Sequence, residues 1–344
     1  MTRILLVFTG GTIGSQAENG NINLDPQASF KLLNLFKTHF QDATQISFKT
    51  LQPLQILSEN LHPHHWQTLI EAIEAEDLAE YDGIIVTHGT DTLAFSAAAL
   101  SLYFHRLAKP LLMVSSNLPL EHPKANGLAN FICAVEFIRK QPETGVFVAY
   151  QNPGQTMLIH HGSRLLSCLP LSSDFISINS EAYLEFINQN FQLIKQIATP
   201  PISKPQALKA HFTQRILLIR PYPGLDYRQF NLDQTDLVLH DLYHSGTACS
   251  ASSLGQSHNL LELIQRCQSL NLPIYLSPAL YSDDAYHSTR QLLAAGAKML
   301  WNLSLEATYA KLLLAYGNFS TSEQIDQFLQ TNLAGEQILV ESAD

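Results

Sequence analysis

Basic residues are scarce in this chain of 344 residues: 20 Lys and Arg stand against 30 Asp and Glu, a formal net charge of −10. A surface of that sign repels phosphate backbones and anionic headgroups, which argues against a nucleic-acid or membrane partner. Cysteine is scarce as well. Cys133, Cys168, Cys249 and Cys267 lie far apart with no CxxC pair, so neither a zinc site nor a disulfide framework is expected. No apolar run reaches the ~18 residues that a membrane span needs. The run Ile4–Phe8 after Arg3 is too short for a secretory signal and meets Gly10-Gly11 almost at once. These absences predict a reducing, cytoplasmic setting. What is present is a globular composition, 46% apolar and 15% charged, with enough chain for two domains and a small-molecule substrate.

Short apolar runs alternate with longer helix-like stretches. Ile4–Phe8, Gly83–Val86, Leu111–Val114 and Val146–Tyr150 read as buried parallel strands. Ala28–Phe40, Pro63–Ala75, Leu93–Leu107 and Ala129–Arg139 read as the helices among them. The pattern breaks over 190–213, where Thr199–Pro205 carries Pro200, Pro201 and Pro205 and cannot be helical. Residues 190–213 therefore read as a linker between domains 1–189 and 214–344. In the second domain, Ile216–Ile219, Leu237–Leu239 and Ile274–Leu276 read as strands, with helices at Leu260–Ser269, Ser288–Ala295, Ala307–Tyr316 and Ser322–Asn332. The expected fold is α/β: a larger N-terminal parallel-sheet domain and a smaller C-terminal one.

Two loops carry the candidate chemistry. The first strand runs into Thr9-Gly10-Gly11-Thr12-Ile13-Gly14, and the strand Asp82–Val86 runs into Thr87-His88-Gly89-Thr90-Asp91-Thr92. Ligands of open α/β sheets bind outside the carboxyl ends of strands. Adjacent glycines let a ligand approach the backbone, and Thr12, Thr90 and Asp91 add hydroxyls and a carboxylate there. Neither loop has the spacing of a nucleotide-phosphate motif. One such loop is commonly a helix cap; a pair at neighbouring strand ends points to a site.

TGGTIG followed by HGTDT resembles the paired signatures of the bacterial-type asparaginase family. The likeness extends through Pro53–Trp66, with Ser58 at the family's serine, through Ser116–Leu120, Tyr222-Pro223-Gly224 and Glu306–Leu312. It implies the two-domain asparaginase-like fold, of the cytoplasmic, type I-like subgroup. It implies hydrolysis of the asparagine side-chain amide, and in some members that of glutamine, to acid and ammonia, with neither metal nor organic cofactor. By the same resemblance Thr12 is the nucleophile, Thr90 flanks the amide and Asp91 takes the substrate ammonium. Ser58 and backbone amides take its α-carboxylate, with Gly11, Glu59 and Gly89 in the binding set. Ser245–Ala248 of a neighbouring subunit completes the pocket, which implies a homodimer or homotetramer. The segment Ser15–Asp25 is expected to be a mobile lid.

The chain departs from that pattern at two places. Asn21 stands where the resemblance puts a tyrosine that helps activate the first threonine, and the first tyrosine of the chain is Tyr81. Ser167 stands at the lysine paired with the second threonine, and no lysine occurs between Lys140 and Lys195. Arg164, His160 or His161 are candidates to stand in for that lysine. Asn126 replaces an aspartate, and Thr247 an asparagine. His62, His64 and His65 read as a solvated helix start rather than a metal site, and His160-His161 read the same way. Two functions stay open: a weak or altered amidohydrolase, and an inactive homologue that binds an amino acid or a protein.

Overall fold

The structure is a computed structural model that describes residues 1–18, 21–24, 28–140, 143–197, 207–213, 215–251, 253 and 256–338. The chain forms two compact units, Met1–Phe212 with Leu333–Gly335, and Thr213–Asn332 with the chain from Glu336.

In the first unit β1 (Thr2–Phe8) is followed by two paired strands, β2 (Ser15–Glu18) and β3 (Asn21–Leu24), then α1 (Ala28–His39) and β4 (Ile46–Leu51). Next come α2 (Pro63–Glu74), β5 (Gly83–Thr87), α3 (Leu93–Tyr103), β6 (Pro110–Val114), α4 (Gly127–Lys140) and β7 (Gly145–Gln151). Three more strands, β8 (Met157–His161), β9 (Leu184–Ile187) and β10 (Asn190–Leu193), finish an eight-stranded sheet ordered β10-β9-β8-β7-β6-β5-β1-β4. The block from β4 to β7 is parallel; β8, β9 and β10 extend it antiparallel.

The order of these strands places the site. From β1 the chain crosses to β4 on one side, then back over β1 to β5 on the other. The connection leaving the carboxyl end of β1 thus runs to one side and that leaving its neighbour β5 to the other, toward β6, and the crevice between the two strand ends is the usual ligand position of such sheets. The centres of β1 and β5 are continuously apolar, so both faces of the sheet are covered there: Ile4–Val7 and Ile84–Val86 are fully buried. α3, rich in Ala and Leu, is buried on nearly every side. Its small side chains admit the turn Gly162–Arg164, where a Cβ on Gly162 would lie 2.7 Å from Ser101 Oγ.

Strands missed by the hydropathy pattern are short, or polar on one face. Residues 190–213 contribute β10, because Asn188 and Gln189 both take positive φ (50° and 62°) and close a tight hairpin from β9. The proline-rich stretch Thr199–Pro205 lies outside the described residues. The two units divide at Phe212 and Thr213. The segment Ser15–Asp25, expected as a lid, contains the paired strands β2 and β3, with Asn19, Gly20 and Asp25 outside the described residues.

The second unit holds a parallel four-stranded sheet, β11 (Ile216–Ile219), β12 (Leu237–His240), β13 (Ile274–Leu276) and β14 (Lys298–Met299). Its helices are α5 (Leu260–Ser269), α6 (His287–Ala294), α7 (Leu305–Asn318) and α8 (Ser322–Gln330). Side-chain caps from Asn259, Ser304 and Thr321 satisfy orphan N–H groups of α5, α7 and α8. Beneath α7 a fully buried ion pair joins Lys311 Nζ to Glu336 Oε1 at 2.6 Å, and the same ammonium donates to the Thr331 carbonyl. Among the described residues no helix is long and apolar enough to cross a membrane.

Candidate active site

β1 ends in a backbone path that only glycine follows. Gly10 has φ +106° and Gly11 has φ +74° with ψ −174°. A Cβ on Gly10 would meet the Ile56 carbonyl at 2.2 Å, and one on Gly11 would meet Gly89 N at 2.3 Å. The glycines thus let the β1 loop touch two other segments at once. Gly11 N–H donates to the Ile56 carbonyl and Ile56 N–H to the Thr9 carbonyl, both at 2.9 Å. The Thr9 hydroxyl crosses to the Thr87 carbonyl at the end of β5 (2.7 Å), and the Ser15 hydroxyl caps the Gly11 carbonyl (2.7 Å). Thr12 opens a 3-10 turn, Thr12–Gly14, and is half-buried.

The β5 loop meets this from the other side. Gly89 leaves no room for a side chain, since a Cβ there would lie 2.4 Å from Ser58 Oγ and 3.2 Å from Gly11 Cα. The contacting glycines bring the starts of the Gly11-Thr12 and Gly89-Thr90 segments together. Ser58, in the turn Ser58–Asn60, is the joint with Asp91. Its hydroxyl donates to Asp91 Oδ2 at 3.0 Å and accepts from the Asp91 N–H at 3.2 Å. The Thr92 hydroxyl donates to the Ser58 carbonyl at 3.0 Å. Asp91 is exposed, and Glu59 beside Ser58 also faces solvent. Among the described residues no hydrogen bond engages the Thr12 or Thr90 hydroxyl or the Thr90 N–H.

Behind the loop lies a row of groups for which the sequence offers no role by itself. His88 is buried; its Nδ1 is 2.8 Å from the Gly89 carbonyl and its Nε2 is 2.8 Å from Ser96 Oγ. Ser96 Oγ also accepts from the Trp66 indole N–H at 2.9 Å. The one signal in the sequence is Ser96 itself: a hydroxyl inside a largely apolar helix needs a partner.

Ser167 follows the turn Gly162–Arg164 that packs on α3, whose amino end carries Thr90 and Asp91. The pKa of the neighbouring Cys168 thiol is raised by burial and then by the Asp174 and Asp91 carboxylates, which sets this stretch within electrostatic reach of Asp91. The candidate substitutes for a lysine point elsewhere. Arg164 Nε donates to the Gly335 carbonyl at 2.6 Å. The solvated reading of His160 and His161 is corrected: both belong to β8, inside the sheet. His160 Nδ1 is 2.8 Å from Ser177 Oγ, and burial pushes the ring's pKa down to about 4. His161 packs between Phe147 and Tyr183 and is pushed down to about 3 by burial, Arg164 and His160. Consecutive strand residues face opposite sides of the sheet: on one side His160 meets Ser177, and on the other His161 meets Phe147 of β7 and Tyr183, the residue before β9. Neither ring carries a lysine-like charge at neutral pH.

Three further positions gain an explanation. His62 and His65 form a capping box at α2: His62 Nδ1 accepts from the His64 N–H and His65 Nδ1 from the His62 N–H. Asn126 and Asn117 clamp each other reciprocally, and Asn126 Nδ2 donates to the Gln151 carbonyl at 2.8 Å. An aspartate cannot make that last bond. Thr247 bridges to Tyr243 in the second unit, in a turn where His244 and Ser245 are exposed. Asn21 lies in β3, and its side chain is outside the described residues. Among the described residues no cluster of His, Cys, Asp or Glu has the arrangement of a metal site.

Residues 3–198 match the family described as Asparaginase, N-terminal. The chain belongs to the asparaginase family. This family member is 27% identical to a glutamyl-tRNA(Gln) amidotransferase subunit from Metallosphaera sedula, over 97% of this chain and 76% of that one. The corresponding protein from Saccharolobus solfataricus is likewise 27% identical over the same shares, 97% and 76%. The fold is that of solved L-asparaginases. The thermostable enzyme from Thermococcus kodakarensis superposes with TM-score 0.80 at 27% identity, covering 98% of this chain and 100% of that one. L-asparaginase I from Vibrio cholerae superposes with TM-score 0.79 at 24% identity, covering 98% and 99%, and that likeness speaks for the fold alone.

Proposed function

We propose that this asparaginase-family chain is an amidohydrolase of amino-acid side-chain amides, asparagine first and glutamine second, with weakened turnover. The observation that carries the reading is the Gly11–Gly89 contact with the Ser58–Asp91 pair beside it. On this reading the Thr12 and Thr90 hydroxyls line one crevice, beside the exposed Asp91 carboxylate. In the proposed reaction Thr12 Oγ1 attacks the amide carbon, the C–N bond breaks, and ammonia leaves with the hydroxyl proton. Water then attacks the Thr12 ester and releases the acid, restoring the hydroxyl. Asp91 holds the substrate ammonium, and Ser58 with nearby backbone amides holds the α-carboxylate. Thr90 and its backbone N–H face the developing oxyanion. Gly11, Glu59 and Gly89 shape the pocket wall. Ser245–Ala248 is proposed to meet a second copy in a homodimer or homotetramer, and the protein is placed in the cytoplasm.

Asn21 and Ser167 favour a second reading, a homologue that binds an amino acid without hydrolysing it. The names of the matched relatives add a variant of the first, in which the released ammonia serves a transamidation. The deciding experiment measures ammonia from asparagine and glutamine at high enzyme concentration, with Thr12→Ala as control and aspartate binding alongside. Ammonia that disappears in Thr12→Ala supports the amidohydrolase. Aspartate binding with no ammonia favours the binder. Native turnover that survives Thr12→Ala removes Thr12 from the chemistry.

A further inference from the structure

His88 is a buried imidazole with a polar partner on each ring nitrogen, set directly behind the Gly89-Thr90 segment. The partners fix its proton. The Gly89 carbonyl only accepts, so Nδ1, 2.8 Å away, must carry the hydrogen. The Trp66 indole only donates, so Ser96 Oγ accepts there and is free to turn its own hydrogen to His88 Nε2. Burial lowers the affinity of the ring for a second proton, although the Gly89 carbonyl and Asp91 act the other way. Donation thus runs one way, from Trp66 through Ser96 and His88 to the Gly89 carbonyl. Hydrogen bonds aligned head to tail polarise one another in a dry interior. The last acceptor is the oxygen of the Gly89–Thr90 peptide, whose nitrogen is that of Thr90. Drawing electron density onto that oxygen leaves the Thr90 N–H a stronger donor, and it holds the peptide plane in one orientation.

We infer that His88 is a positioning residue: held by Ser96 and Trp66, it orients the Gly89–Thr90 peptide and strengthens the Thr90 N–H toward the anion formed in amide cleavage. This rests on the amidohydrolase reading and concerns the same site. Asp91 and Ser58 stand outside the relay, so substrate retention and anion stabilisation separate.

The test uses the full chain labelled with 15N. In the native protein at neutral pH the His88 ring is expected to show a protonated Nδ1 and an unprotonated Nε2. In Ser96→Ala the Thr90 amide proton is expected to move upfield. Kinetically, Ser96→Ala is expected to lower kcat about 10-fold and leave KM within about 2-fold, because only the charge-developing step uses the polarised N–H. His88→Asn keeps an N–H aimed at the Gly89 carbonyl and is expected to retain more turnover than His88→Leu. An Nε2–H tautomer, or a Thr90 amide unmoved in Ser96→Ala, overturns the inference, as does equal turnover in the two His88 variants. If the native protein releases no ammonia, the amidohydrolase reading fails by itself, and the tautomer and the Thr90 shift still decide the relay.

Discussion

Replacing Gly11 by alanine tests the architecture of the site without presuming its chemistry. At φ +74° and ψ −174° the backbone lies where a Cβ is strongly disfavoured, a cost of about 1–3 kcal/mol. The new methyl would also sit 2.3 Å from Gly89 N, 2.4 Å from Gly89 Cα and 2.8 Å from the His88 carbonyl carbon, all of them backbone. No side chain can swing aside, so the β1 and β5 loops must part by about 1 Å, and overpacking of this kind costs a further 1–3 kcal/mol or so. The sum is about 2–6 kcal/mol. Gly154 is the matched control. It has the same φ, +74°, yet a Cβ there has nothing within 4 Å. Gly154→Ala should therefore show only the backbone cost, about 1–2 kcal/mol. Urea unfolding followed by circular dichroism reads both. Gly11→Ala is expected to unfold at clearly lower urea than Gly154→Ala. If turnover is present in the native protein, it should fall on the order of 10²-fold, because a 1 Å displacement of catalytic groups has that effect. Equal midpoints for the two variants, with native turnover in Gly11→Ala, would refute the close-approach reasoning.

Four more outcomes are expected. Ser58→Ala removes both contacts with Asp91 and should weaken aspartate binding about 10-fold by calorimetry, with little change in the urea midpoint. Lys311→Met takes the ammonium away from the buried Glu336 carboxylate and should cost about 3–5 kcal/mol in urea, whereas Lys311→Met with Glu336→Leu should recover most of it. The α2 cap needs neutral His62 and His65, and both rings are held below their ordinary value of 6.5, by burial first and then by neighbouring histidines. A lowered folded value means that the cap stabilises above about pH 6.5 and fails as pH falls further. The midpoint of the native chain should therefore drop more between pH 7.5 and 5.5 than that of His62→Ser with His65→Glu, and parallel drops would contradict the histidine cap. Asn21→Tyr with Ser167→Lys should raise ammonia release about 10²-fold or more, beyond either change alone, and Thr12→Ala should abolish the gain. No gain from the pair, in a protein that binds aspartate, would mean that the site has lost more than these two groups.

Much of the molecule is determined by local pattern. Continuous apolar runs such as Ile4–Val7 and Ile84–Val86 have no solvent-facing side, so they specify central parallel strands wherever they occur. The loops TGGTIG and HGTDT follow those strands directly, and sequence alone therefore set Thr12, Thr90 and Asp91 at carboxyl ends. Sequence also showed that no tyrosine precedes Tyr81 and that no lysine lies near Ser167. The tertiary structure decided what depends on groups distant along the chain. β10 exists because Asn188 and Gln189 turn the chain back, with no glycine to announce it. His160 is buried and His161 half-buried because β7, Ser177 and Tyr183 cover the end of β8. The Ser58–Asp91 pair spans 33 positions, and the Trp66–Ser96–His88 row joins a helix, a second helix and a loop. A polar side chain in an apolar stretch reveals that it needs a partner. Which partner it gets is fixed only when the sheet brings β1, β5 and the helices around them together.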